Sequence, residues 1–290
     1  MKPKKKIVIS DEEKKLPYYK YYTRPLAPIP KEKLDILKVE KPTWKGIIPF
    51  DKKDIFLKGD DKDYCQLGYG NLEDGTGYIC NTTFFPNSTV EMIDWWFPWH
   101  SIGPNLRYTI WDNEDHYFAN ADNVEYVKDP KVPMNQKTWG VSHYIYEDVG
   151  MGPSFIKINF KRPKDFGLDE SIIGSKYCKS LVCGIGEGDC AAAMIHKWYD
   201  VEGGLMLCSR FWIGMCEKNG KIISNLPQGV KVPIEVSRGL FEHNCKEFKN
   251  LASLIQVVYL LHLKNLLIFQ KILIKYDEDR LLRNIHFQIQ

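Results

Sequence analysis

The sequence predicts an α+β fold of helix-grip type: an N-terminal arm, a curved run of antiparallel strands, and one long C-terminal helix that closes the sheet. Three observations carry this. Residues 105–112 and 154–162 alternate with period two; in the second stretch Ile156, Ile158 and Phe160 oppose Phe155, Lys157 and Asn159. "AAAMIHKWYDV" and "GGLMLCSRFWIG" are apolar runs joined by a Gly-Gly turn, as in a hairpin. From about residue 234 the period changes to that of a helix. Leu240, Leu251, Leu254 and Val258 share one side, with Phe248 and Ile255 at its edge, and Arg238, Glu242, Lys246, Lys249 and Ser253 share the other.

Residues 1 to about 45 are rich in Lys and Pro and read as an irregular or partly helical arm. Residues 46–90 are Gly/Asp-rich and turn-heavy. The aromatic centre begins near Phe84, and the segment "NLRYTIWD" reads as a strand with Leu106, Tyr108 and Ile110 on one face. Residues 251–274 lack acidic side chains and are long enough to cross a bilayer, but His262, Lys264, Asn265 and Lys271 interrupt them. An extended core helix, or a helix pairing two copies in a homodimer, fits better. The boundaries fall at 1–80 for the arm and small N-terminal portion, 81–262 for the main domain and 263–290 for the tail.

Composition narrows the function classes. The chain has 290 residues, 44% hydrophobic and 27% charged, which suits one large soluble domain with room for an internal cavity. Its 40 basic and 37 acidic residues give a net charge of +3 with no basic stripe, so a nucleic-acid partner is not expected. "MKPKKK" lacks the apolar stretch of a signal peptide, and a cytoplasmic protein with no membrane partner is the expectation. The eight cysteines form no CxxC pair; Cys178, Cys183 and Cys190 match no common zinc spacing and read as free thiols. Aromatics reach 13%, which suits either a large core or a pocket for a flat ring.

The chemistry-bearing candidates are few. His243 and Glu247 sit four residues apart on the apolar side of the helix, where an unpaired ionised carboxylate would cost several kcal/mol. Alone, such a pair fits a structural salt bridge better than a metal half-site. His116 in "WDNEDHYFAN" and His143 with Glu147 in "VSHYIYEDVG" offer further donors. Two His and two carboxylates would suit Zn²⁺ with an open position. His143 competes for a ligand role, and His100 in "WWFPWH" reads as a core histidine. There is no GxSxG elbow, HExxH or phosphate loop, and "CGIGEGD" lacks the third Gly of a dinucleotide fingerprint.

"WWFPWH" (95–100), "LRYTIWDNEDHYFA" (106–119), "YIYEDVG" (144–150), "GGLMLCSRFWIG" (203–214) and "HNCKEFKNLA" (243–252) together resemble the phloretin hydrolase and diacetylphloroglucinol hydrolase family over roughly residues 60–255. The resemblance implies a helix-grip domain like that of START and pollen-allergen proteins. It implies Zn²⁺ held by His116, Glu147, His243 and Glu247, with Tyr108, Asn120 and His196 toward the substrate and Tyr108 and His196 in catalysis. The implied reaction hydrolyses the aryl–acyl C–C bond of an acylphloroglucinol, with phloretin giving phloroglucinol and hydroxyphenylpropionate. Release of acetate from diacetylphloroglucinol is one alternative, and non-catalytic binding of an aromatic ligand in a helix-grip cavity another. After about Leu254 the chain departs from the family, whose members end in a more acidic, polar helix.

Overall fold

A computed structural model describes residues 4–39, 46–59, 64–188 and 191–288, as backbone only over 269–288. Short helices α1 (Asp11–Lys14), α2 (Tyr19–Tyr22) and α3 (Lys31–Leu37) form the arm, followed by α4 (Asp54–Lys58). Then come β1 (Gly68–Asn71), β2 (Gly77–Pro86), α5 (Val90–His100), α6 (Leu106–Thr109), β3 (His116–Ala121) and α7 (Val124–Lys128). Strands β4 (Ser142–Asp148), β5 (Pro153–Lys161), β6 (Ser180–Glu187), β7 (Ala192–Val201) and β8 (Gly204–Ile213) complete the main sheet. A small hairpin of β9 (Met215–Lys218) and β10 (Lys221–Ser224) leads to the long helix α8 (Ile234–Gln288).

The sheet has eight strands in the order β1-β2-β8-β7-β6-β5-β4-β3, every neighbouring pair antiparallel. Its two ends both reach α8. Near one edge, Asn81 on β2 donates to the Asn244 side chain at 2.8 Å. At the other, Trp111 Nε1 donates to the Glu247 carbonyl at 3.0 Å and Asn250 donates to the Trp111 carbonyl at 2.8 Å. A sheet whose opposite ends meet one helix must curl around it, as twisted strands do. The fold is therefore α+β, with a large antiparallel sheet and a long C-terminal helix.

Both faces of the central strands are covered. Met194, His196 and Trp198 of β7 face α8, while Ala193 and Ile195 pack under Ile48, Phe56 and Phe166. Two buried faces explain why β7 and β8 read as continuous apolar runs and not as alternation. The domain division expected at residue 80 falls inside β2, which pairs along its whole length with β8.

One expected element is different. Residues 105–112 are not a strand: α6 occupies 106–109, with Thr109 N–H to Asn105 C=O and Ile110 N–H to Leu106 C=O both at 2.9 Å. Leu106, Tyr108, Thr109, Ile110 and Trp111 are all buried, so the alternation over this short window did not mark one wet and one dry face.

The expected Cys178 and Cys183 thiols are free and buried; Cys190 lies outside the described residues. In α8, Phe241, Cys245, Phe248, Leu251, Ile255 and Val258 are buried. Beyond them Leu260, Leu263, Leu266, Leu267 and Ile268 are exposed. By length and composition the 234–268 stretch could cross a membrane, yet its first seven turns lie against the sheet.

Candidate active site

The arrangement begins with the α6–β3 turn. Thr109 Oγ1 donates to the His116 carbonyl and His116 N–H to the Asp112 carbonyl, both at 3.0 Å, which fixes the start of β3. His116 pairs in register with Glu147 of β4, so both side chains enter the concave side together. α8 supplies His243 and Glu247 one turn apart on its inner side.

The four groups converge. His116 Nε2 lies 3.3 Å from His243 Nε2, 3.5 Å from Glu147 Oε2 and 3.7 Å from Glu247 Oε2. His243 Nε2 lies 3.8 Å from Glu147 Oε2 and 3.9 Å from Glu247 Oε2. Four N and O ligands about 2.0–2.2 Å from one Zn²⁺ would be separated by about 3.3–3.6 Å, so these contacts have the scale of tetrahedral edges. All four residues are buried.

Asp112, His116 and His243 form a further buried group able to hold a metal ion, with one atom from each within 4.8 Å of the others. The Asp112 carboxylate is already engaged: Oδ1 accepts the Glu114 N–H at 3.0 Å, and Oδ2 lies 3.0 Å from Lys246 Nζ. Its place is beside the cluster, not at its centre. Asp115 has a similar position, 3.8 Å from His243 Nδ1 and bound by Lys4 and Lys246.

The electrostatics suit a cation. The buried carboxylates of Asp112, Asp115, Glu147 and Glu247 face three cationic groups, Lys4, Lys246 and the protonated His243, so full ionisation of the four would leave one negative charge over. Burial pushes Glu247 up to about 8, with Glu147 and Asp112 adding to the effect. Burial also raises Glu147. His243 resists its own burial because Glu247, Asp115 and Glu147 surround it, and its pKa rises to about 9. Burial and the neighbouring His243 charge drive His116 far the other way, so only one of the two facing rings holds an extra proton.

Beside this cluster is a cavity walled by Phe97, Trp111, Phe160, Phe211 and Phe248 and reached by Tyr108, His100, His143 and His196. Aromatic walls with a few convergent polar groups suit a ring-bearing organic ligand. Tyr108 stacks on His116 with ring centroids 4.1 Å apart and donates a hydrogen bond to Glu147 Oε2. Ser209 Oγ lies 2.9 Å from His196 Nδ1, and burial pushes His196 down to about 3. His143 is also kept neutral by burial; it makes no contact with the four clustered groups, and its buried Nε2 has no hydrogen-bond partner.

The structure thus brings together His116, Glu147, His243, Glu247, Tyr108 and His196. It does not bring Asn120. Counting by twos from His116 would aim residue 120 inward, but a bulge between His116 and Phe118 shifts the phase. Ala119 and Ala121 are buried and Asn120 is exposed. A substrate contact from Asn120 is therefore corrected to a solvent-facing position. The sequence reading also missed Asp112, Asp115 and Lys246, whose signal was the acid-rich "DNED" immediately before His116.

A family model described as the DAPG hydrolase PhiG domain matches residues 48–260. The chain belongs to the DAPG hydrolase family. The match spans the whole main sheet and the buried part of α8, and every clustered residue lies within it. Among relatives, phloretin hydrolase of Eubacterium ramulus is 56% identical over 258 residues, 89% of this chain and 94% of that protein. The 2,4-diacetylphloroglucinol hydrolase of a Pseudomonas species is 25% identical over 208 residues, 67% of this chain and 70% of the relative. That of Pseudomonas protegens is 24% identical over 208 residues, 67% of each chain.

Proposed function

We propose that this member of the DAPG hydrolase family is a zinc-dependent hydrolase that cleaves the aryl–acyl C–C bond of an acylphloroglucinol. Phloretin is the preferred substrate in this reading, giving phloroglucinol and hydroxyphenylpropionate. The observation that carries it is the convergence of two imidazoles and two carboxylates on one wall of an aromatic cavity, in a chain 56% identical to a phloretin hydrolase. The fold is read as helix-grip and the setting as the cytoplasm.

The reaction adds water across the bond: the ring carbon gains a proton and the acyl carbon gains oxygen. His116, Glu147, His243 and Glu247 would hold the ion. A bound Zn²⁺ supplies Lewis acidity toward a carbonyl oxygen and lowers the pKa of water to about 7. The chain's own residues do the rest. Phe97, Phe160 and Phe211 exclude bulk water and hold a flat ring. Tyr108 orients Glu147 and stands at the ring's edge. Ser209 holds Nδ1 of His196, leaving Nε2 for a substrate oxygen or a proton transfer. A ring hydroxyl would complete the unpartnered His143 Nε2.

Glu247→Gln tests the assignment. Elemental analysis should show loss of most of the zinc, and turnover of phloretin to free phloroglucinol should fall by at least about 100-fold. A zinc-loaded, fully active Glu247→Gln protein would remove the ligand assignment. A pure binding protein, the other reading, would bind phloretin without releasing phloroglucinol.

A further inference from the structure

The cavity beside the four clustered groups continues into a second chamber, and Glu147 and Val149 line both. The first part carries His100, Tyr108, His143 and His196; the second has no polar side chain but Glu147. Its own walls are Met151, Ile156, Gly186, Ala192 and Val236. Met151 is 58% exposed, which puts the mouth of the chamber at the β4–β5 turn.

Two small residues keep the chamber open. Gly186 and Ala192 are register partners on β6 and β7. A Cβ built on Gly186 would find its nearest neighbours, the Ala192 carbonyl oxygen and Ile156 Cγ2, both at 3.8 Å, so a side chain there would occupy space without a backbone clash.

We infer that this second chamber is the acyl-arm subsite, and that the missing side-chain bulk at Gly186 and Ala192 admits an aryl-propanoyl arm. The inference rests on the hydrolase reading above. A scissile bond placed beside Glu147 leaves the hydroxylated ring on the side of the imidazoles, which can hydrogen-bond three ring oxygens. The arm then lies on the apolar side, where its methylenes and second ring lose water contact and its terminal hydroxyl reaches the mouth. An acetyl group has no second ring to lie against these walls, so the subsite selects for arm length.

The test compares Ala192→Leu and Gly186→Val with the wild type on two ketones, phloretin and 2,4,6-trihydroxyacetophenone, and measures phloretin binding by calorimetry. Ala192→Leu should lower kcat/KM for phloretin at least 20-fold and weaken its binding at least 10-fold, while the acetyl ketone changes less than threefold. Gly186→Ala, which adds one methyl without a clash, should move the ratio of the two substrates the same way by a smaller factor and covers a misfolded Gly186→Val. An unchanged substrate ratio in a folded Ala192→Leu protein overturns the subsite, as does a wild type that hydrolyses the acetyl ketone but not phloretin. A wild type that hydrolyses neither ketone overturns the hydrolase reading; the subsite is then decided by whether Ala192→Leu weakens phloretin binding.

Discussion

His243 and Glu247 show why a residue's chemistry cannot be read from its own helix alone. On α8 they are an ordinary i, i+4 pair, 3.9 Å apart. What changes their meaning is His116 and Glu147, brought from β3 and β4 to within the same few ångströms. Asp94 on α5 gives a residue-scale prediction away from this cluster. Burial raises its pKa to about 6, with Glu91 adding, while the Ser180 hydroxyl donates to it at 2.5 Å and opposes the rise. Because the folded value exceeds the unfolded one, protonation of Asp94 stabilises the fold below pH 4, and this contribution is lost as pH rises through about 6. The shift corresponds to about 3 kcal/mol at most; partial exposure of the residue reduces this to about 1–2 kcal/mol. Asp94→Asn, whose amide oxygen can still accept from Ser180, should therefore stabilise the protein by that amount at pH 8 and by nothing at pH 4. Urea unfolding at the two pH values measures it.

At the scale of elements, the β4–β5 turn and α8 meet backbone to backbone. Gly150 has φ +100°, and a Cβ there would lie 2.5 Å from Gly239 Cα. This contact holds the end of β4, with Glu147, against the first turns of α8. Gly150→Ala should cost about 2–4 kcal/mol, from strain at positive φ and from the collision. The turn would move away from α8 and carry Glu147 with it, so zinc affinity should fall along with stability. A lowered thermal midpoint with unchanged zinc affinity would show that the contact is structural only. The bulge in β3 acts at the same scale: one extra residue turns Asn120 outward and leaves small alanines facing in.

For the molecule as a whole, the sheet and α8 form a shell whose last buried contact with the helix is near Val258, with Tyr259 and His262 still resting on Trp95 at centroid distances of 5.1 and 5.0 Å. Replacing the exposed Leu266, Leu267 and Ile268 with Gln should change stability by no more than about 0.5 kcal/mol at each position. Turnover should be unchanged and solubility higher. Truncation after Leu251 removes the buried Leu254, Ile255 and Val258, each worth about 2–5 kcal/mol when cut back to a cavity, and should abolish cooperative unfolding in a thermal scan. The N-terminal arm contributes at this scale too, since Ile7 N–H bonds the Asn113 carbonyl at 2.8 Å and Lys4 pairs with Asp115 behind His243.

The sequence alone determined the α+β class, the β7–β8 hairpin, the onset of α8 and the presence of an imidazole and a carboxylate on its apolar side. Those features are local: side-chain periodicity, a turn between two strands, and a polar pair out of phase with its helix. The resemblance added the four ligands and the aromatic substrate class as expectations. What only the tertiary structure decided is non-local. Residues 106–109 form a helix whose burial is set by β3, α2 and α5 and not by alternation. The phase of β3 depends on pairing with β4, which introduces the bulge. The roles of Asp112, Asp115 and Lys246, and the second chamber beside Glu147, arise from chain segments distant in sequence, whose meeting no local periodicity encodes.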